Sequence, residues 1–260
     1  MARELLPDTL NLEDHARLAM NHLARCLDVK MNHLPYFWVF LDSDPAEASH
    51  GAGGWEFGDI AGRYLDAMIL ARQMTGSSLG EKEQQALKDL LFSTFDKEDG
   101  LSYSRETAWC RQEATMFGQR SPLIALLDLC ILNQDPEAKS HLERLIKGLL
   151  RIAVHYDCYC RYPYEAYTKN GWDSEAGYGE AAWYGVQILP LVRYYELTGN
   201  RDALDLARKL VDDVAFHCEY VGTSSENLGS RCIPKKTALE PYTLQGCIPS
   251  IDSKSSTSYE

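Results

Sequence analysis

At 260 residues and a formal net charge of -12, the chain can bury one large core; its charge argues against a nucleic-acid or anionic-membrane surface. No run approaches the roughly 18 to 20 apolar residues of a membrane span. The start, MARELLPDTLNLEDHAR, lacks the apolar stretch of a secretion signal, so a cytoplasmic protein is expected. Eight cysteines, with Cys26 and Cys130 inside apolar helical patterns, read as thiols of a reducing compartment. The close pair Cys158 and Cys160 lacks the spacer of a zinc knuckle or redox motif, and neither metal nor cofactor is expected.

In chain order, Leu12, Ala16, Ala19, Leu23 and Leu27 recur at helical spacing and predict an amphipathic helix over 10–27. LPYFWVFL, Leu34 to Leu41, is too short to assign as helix or strand and is expected to cap the core. From Asp59 to Met74 the apolar residues cover nearly the whole circumference, which predicts a helix buried on all sides. Thr75-Gly76 stops it, and Glu81 to Phe95 follows with a single apolar stripe, Ala86, Leu87, Leu90, Leu91 and Phe95. The same pair recurs twice. SPLIALLDLCIL, Ser121 to Leu132, precedes the striped Pro136 to Val154; Glu180 to Leu197, which Pro190 should kink, precedes Asn200 to Phe216.

Buried inner helices alternating with amphipathic outer ones predict an all-α fold, a partial (α/α) toroid of about seven helices in antiparallel hairpins. The repeat is far longer than the roughly 34 residues of a tetratricopeptide unit. One domain is expected over 1–220, an incomplete toroid. Residues 221–260, without a helical stripe and rich in Ser and Pro, read as an irregular or disordered tail.

The long connections carry the chemistry. Gly51 to Gly58, Glu98 to Gly118 and Asp157 to Gly179 are rich in Trp, Tyr, Asp, Glu and Gly, and each precedes an inner helix, so all three should meet on one face. Glycoside hydrolysis needs a carboxylic acid, a second carboxylate and aromatic surfaces for sugar rings. Asp59 and Asp173 are the first candidates for acid and base, with Glu56 and Glu175 as substitutes. Asp59 also reads as a helix N-cap, a role that can coexist with the first. Trp55, Trp109, Trp172 and Tyr178 are candidates for stacking on sugar, with Glu180 beside them; of five tryptophans, only Trp38 lies away from these segments. Arg63 and Arg120, near the starts of successive inner helices, would clamp sugar hydroxyls or a carboxylate, or else pair with loop acids. Of the histidines only His50 is placed to face such a site. No phosphate-binding glycine loop, HExxH or GxSxG motif occurs.

The alternation of inner and outer helices, with GGWEFGDIAGRYLDAMILARQMTG and GYGEAAWYGVQILPLVRYYELTGNRDALDLARKL, resembles the six-hairpin glycosidase superfamily, nearest to its β-L-arabinofuranosidase-like and unsaturated-uronyl-hydrolase-like members. The resemblance covers about residues 10–220. It implies a carbohydrate-active protein with an oligo- or polysaccharide substrate, and glycoside hydrolysis or, less often, polysaccharide lysis. No segment matches the cysteine-rich zinc cluster of the first group or the tryptophan-rich catalytic motif of the second, so no catalytic residue carries over. The alternative is a non-catalytic helical scaffold that binds a protein or glycan through its aromatic loop face. A terpene-cyclase-like toroid lacks its Asp-rich metal motif. An open toroid exposes apolar edges, through which the chain is expected to form homo-oligomers.

Overall fold

The computed structural model describes residues 11–51, 53–176, 185–220 and 232–234. Among them are seven α-helices: α1 Leu12–Arg25, α2 Ala61–Thr75, α3 Glu81–Phe92, α4 Arg120–Leu132, α5 Pro136–Ile152, α6 Ile188–Thr198 and α7 Arg201–His217. Short turns force α2 and α3, α4 and α5, and α6 and α7 into antiparallel hairpins. Their stops are local chemistry. Gly76 and Gly199 end α2 and α6 in the left-handed conformation, φ 59° and 71°, which a residue with a Cβ adopts only at a cost. Asp135 starts α5 by accepting from the amides of Glu137 and Ala138, and Asn200 accepts from Ala203 N at the start of α7.

α2 packs against α4 and α4 against α6, while α3, α5 and α7 lie behind their partners. This double layer of hairpins is an all-α, partial α/α toroid. The core runs through Leu65, Met68, Leu87, Leu91, Leu123, Leu126, Leu145, Leu149, Leu191 and Leu206. Gly62 makes the closest crossing, because a Cβ there would stand 2.5 Å from the Ser121 carbonyl carbon. α1 closes one side of α2, burying Met20 but leaving Leu12 and Leu18 exposed.

The inner helices are not buried all round. On α2, Arg63, Asp66, Leu70 and Met74 fall on one stripe, with Leu70 44% and Met74 56% exposed. Ile131 on α4 and Leu189 and Leu197 on α6 are also exposed. Three stretches of near-continuous apolar sequence therefore end at exposed positions and not inside a closed ring. Within the stretch expected as one kinked helix, a turn at 186–187 separates helical Gly185 from α6, so Pro190 falls in the first turn of α6, where amides have no intrahelical partner.

The long connections form small antiparallel pairs. β1 Leu27–Asp28 joins β2 Leu34–Pro35, and β3 Trp38–Phe40 joins β4 Glu47–Ser49. β5 Ala114–Thr115, β8 Ala166–Thr168 and β9 Gly171–Trp172 make one sheet in the order β5-β8-β9. β6 Val154–His155 pairs with β7 Cys160–Arg161, and β10 Cys218–Tyr220 with β11 Cys232–Pro234. Leu34 is buried as a core cap, but Trp38, Val39, Phe40 and Leu41 stand exposed, so the second half of LPYFWVFL caps nothing. Apart from β11, the expected irregular tail lies outside the described residues.

Arg161 on β7 reaches the fully buried carboxylate of Asp213 on α7 at 3.0 Å, tying the third long connection to the helical layer. Cys158 is disulfide-bonded, whereas Cys26, Cys110, Cys130 and Cys160 are free thiols. The reading of the cysteines as thiols fails at Cys158, and a disulfide lends no support to a cytoplasmic location. Among the described residues, no helix is long and apolar enough to cross a membrane, and no group of three or more His, Cys, Asp or Glu is placed to hold a metal ion.

Candidate functional site

The three long connections gather at the N-terminal ends of the inner helices, with the second lodged between the other two. Gly58 packs so closely that a Cβ would stand 2.7 Å from Gly118 O, and Trp55 meets Phe117 with centroids 5.1 Å apart. On the other side, β5 of the second connection pairs with β8 of the third, Arg111 reaches Asp173 at 2.9 Å, and buried Gln187 donates to Met116 O.

Glu56–Ile60 is a π-helical turn that leads into α2. The extra residue per turn directs Asp59 sideways, and no side chain caps α2. Asp59 is thus not an N-cap. Its carboxylate, 2% exposed, accepts from Ser121 Oγ at 2.5 Å and pairs with Arg63 at 2.9 Å. Arg63 is half-exposed and lies over the Phe117 ring, 5.7 Å from its centroid. Trp55 stands edge-on to Phe37 at 6.3 Å. A buried carboxylate, a solvent-facing guanidinium and an aromatic pair therefore share one corner between α2 and α4. Glu56 is also buried, and its Oε1 accepts from Gly51 N at 2.8 Å.

His50 reaches this face as a packing element. Its ring is stacked between Tyr36 at 4.8 Å and Trp109 at 5.2 Å, and its Nε2 lies 3.2 Å from Asp28. Burial opposes ionisation of Asp28, yet hydrogen bonds from His50 and the Lys30 amide hold its carboxyl below the usual range. Trp109 is half-buried against the core, and so is Trp172, which meets Tyr167 edge-on at 5.1 Å.

Asp173 pairs with Arg111, which also holds Glu113 at 3.1 Å. Burial first, and then the charge of Asp173, raise the Glu113 carboxyl, with Arg111 opposing. Glu175 is exposed, and its amide donates to Asp173. Tyr178 and Glu180 lie outside the described residues, as does Trp183.

A second polar group lies further down the same open face and was not singled out from sequence. Asp66 on α2 is held against Asp128 on α4, Asp128 pairs with Arg193 on α6 at 2.7 Å, and Arg120 acts on Asp66 from α4. Burial, then the hydrogen bond and charge of Asp128, push Asp66 up to about 7, against the pull of Arg193 and Arg120. The sequence signal was a lone acid inside each apolar inner helix, YLDAM and LLDLC. Burying an acid there is costly unless it is paired, and the inner helices supply the pairs.

No family model matches the sequence, and no curated protein matches it. Among solved structures, the chain is similar to the crystal structure of an unsaturated glucuronyl hydrolase specific for heparin, with 11% sequence identity and a TM-score of 0.42 over 79% of this chain and 67% of that one.

Proposed function

We propose that this chain is a carbohydrate-active protein of glycoside-hydrolase type, which binds an oligo- or polysaccharide where the long connections meet the N-terminal ends of α2 and α4. The observation that carries the reading is Asp59, a buried carboxylate fixed by Ser121 and by Arg63, whose guanidinium lies over Phe117 beside Trp55. Aromatic rings offer apolar faces to the C–H side of a sugar, and Arg63 offers donors to its hydroxyls. Asp66 follows Arg63 by three residues on α2, beyond the π-helical turn that holds Asp59. Its carboxyl, raised to about 7 by burial and by Asp128, is partly protonated at neutral pH, the state from which a general acid acts. Asp59, paired with Arg63 and Ser121, is suited to the role of base. Asp173 with Glu113 and Arg111 forms a further acidic group on the loop side, with Glu56 and Glu175 as neighbours in sequence.

The second reading is a binding scaffold without hydrolytic activity. It is favoured by the ion pairs that occupy both Asp59 and Asp173. Incubation with a panel of plant, bacterial and animal polysaccharides, followed by a reducing-end assay and by tryptophan fluorescence, separates the two. Release of reducing ends supports the hydrolase, a fluorescence change without release supports the scaffold, and neither response to any polysaccharide overturns the carbohydrate reading. We also propose self-association through the open face that exposes Leu70, Met74, Ile131 and Leu189.

A further inference from the structure

Four consecutive apolar side chains, Trp38, Val39, Phe40 and Leu41, are 47%, 40%, 44% and 81% exposed. They lie in and just after β3, half of a two-stranded hairpin whose other half is β4. Side chains alternate across a strand, so Trp38 and Phe40 share one face. Register places Ser49 opposite Trp38 and Glu47 opposite Phe40, so the same face carries two aromatic rings beside a hydroxyl and a carboxylate. That pairing of apolar ring faces with hydrogen-bonding groups is the composition that recognises a sugar.

The hairpin is also continuous with the candidate site. Trp38 meets Phe37 at 4.8 Å, Phe37 meets Trp55 at 6.3 Å, Trp55 meets Phe117 at 5.1 Å, and Phe117 underlies Arg63, the partner of Asp59. Each step is a direct aromatic contact, edge-on at Phe37 and tilted at Trp55, so the row runs without a break from the exposed hairpin to the corner that holds the buried carboxylate. A hairpin built only to pack would turn Trp38 and Phe40 inward, and an exposed apolar strand is otherwise an aggregation hazard.

We propose that the β3–β4 hairpin is an outer sugar-binding platform, so that the site takes an extended oligosaccharide and not a single sugar or disaccharide. The inference rests on the carbohydrate reading of the Asp59 corner. Trp38 and Phe40 stack on sugar rings, Ser49 and Glu47 bond hydroxyls, and the chain passes over Phe37 and Trp55 toward Arg63.

Calorimetric titration with β-1,4-linked xylose, glucose and N-acetylglucosamine oligomers, each as dimer and as hexamer, tests it on the full chain and on Trp38→Ala and Phe40→Ala. Both side chains are exposed, so the variants are expected to keep the parent's circular dichroism and Tm. The expected result is a hexamer bound more tightly than its dimer, with Trp38→Ala weakening the hexamer roughly three- to tenfold and leaving the dimer unchanged. Equal affinity for dimer and hexamer, or a Trp38→Ala variant that binds the hexamer as the parent does, overturns the platform while leaving the carbohydrate reading in place. Binding of no oligomer of either length overturns the platform for these sugars, and the polysaccharide panel then decides the carbohydrate reading itself. If the two variants change only the elution volume of the protein, the hairpin is a protein contact and the proposal fails.

Discussion

Ser121 Oγ, in the first turn of α4, donates to Asp59 Oδ1 across 2.5 Å, joining two inner helices through a carboxylate that is 2% exposed. A hydrogen bond to a buried charged group contributes about 2 kcal/mol, and Arg63 supplies the same buried carboxylate with its counter-charge. A double-mutant cycle of Asp59→Ala and Ser121→Ala, followed by urea unfolding, should give a coupling of about 1–2 kcal/mol. Arg63→Ala, which leaves the buried Asp59 carboxylate without its counter-charge, should cost about 1–3 kcal/mol. Additive effects of the first two would mean that the contact holds nothing together.

Gly62 allows α2 and α4 to touch backbone to backbone, and a methyl group there meets the Ser121 carbonyl carbon and Pro122 N at 2.5 and 2.7 Å. Neither atom belongs to a side chain that can swing away. Gly62→Ala should therefore destabilise the protein by about 1–3 kcal/mol, despite the better helix propensity of alanine. A variant as stable as the parent in thermal unfolding would show that the crossing has slack.

Asp66 gives stability a distinctive pH dependence. Its folded carboxyl is raised to about 7 from the ordinary 3.8, chiefly by burial and by Asp128. Between those values the folded protein holds a proton that the unfolded chain has released, so the contribution to stability falls as pH rises through this window. Asp66→Asn, which mimics the protonated form, removes that slope. Half-exposure screens the group, so the variant should gain about 1 kcal/mol over the parent at pH 8 and nothing at pH 4. Equal stabilities at both pH values would mean that Asp66 ionises freely.

The open face predicts association. Light scattering behind size exclusion should show mass rising with concentration, and Leu70→Glu combined with Ile131→Glu should return the protein to a monomer, since both apolar side chains are exposed. A concentration-independent monomer with low binding of an apolar dye contradicts self-association.

The hairpins were legible because their signals are local: Gly76 and Gly199 stop helices, Asp135 and Asn200 start them, and outer helices show one apolar stripe. The gathering of the long connections also followed from direction alone, since every inner helix is entered from the same end. Three things depended on tertiary context. The π-turn at Glu56–Ile60 has no composition of its own, and it moved Asp59 from a capping role to a bond with Ser121. Asp66 and Asp128 were hidden by their apolar neighbours, although an acid in such a helix is itself the signal of a partner. Trp38 sat in a run that periodicity could not assign, so neither its exposure nor its contact with Phe37 could be read.

Rates of reducing-end release on an accepted polysaccharide, compared between the parent and the Asp59→Asn, Asp66→Asn and Asp173→Asn variants at matched folded fraction, test the carbohydrate-active reading most directly. Loss of an acid or base should lower turnover by about a hundredfold or more for Asp59→Asn and Asp66→Asn, with circular dichroism unchanged. Variants at Asp59, Asp66 and Asp173 that all fold and all turn over as the parent does would contradict a hydrolytic site at this face.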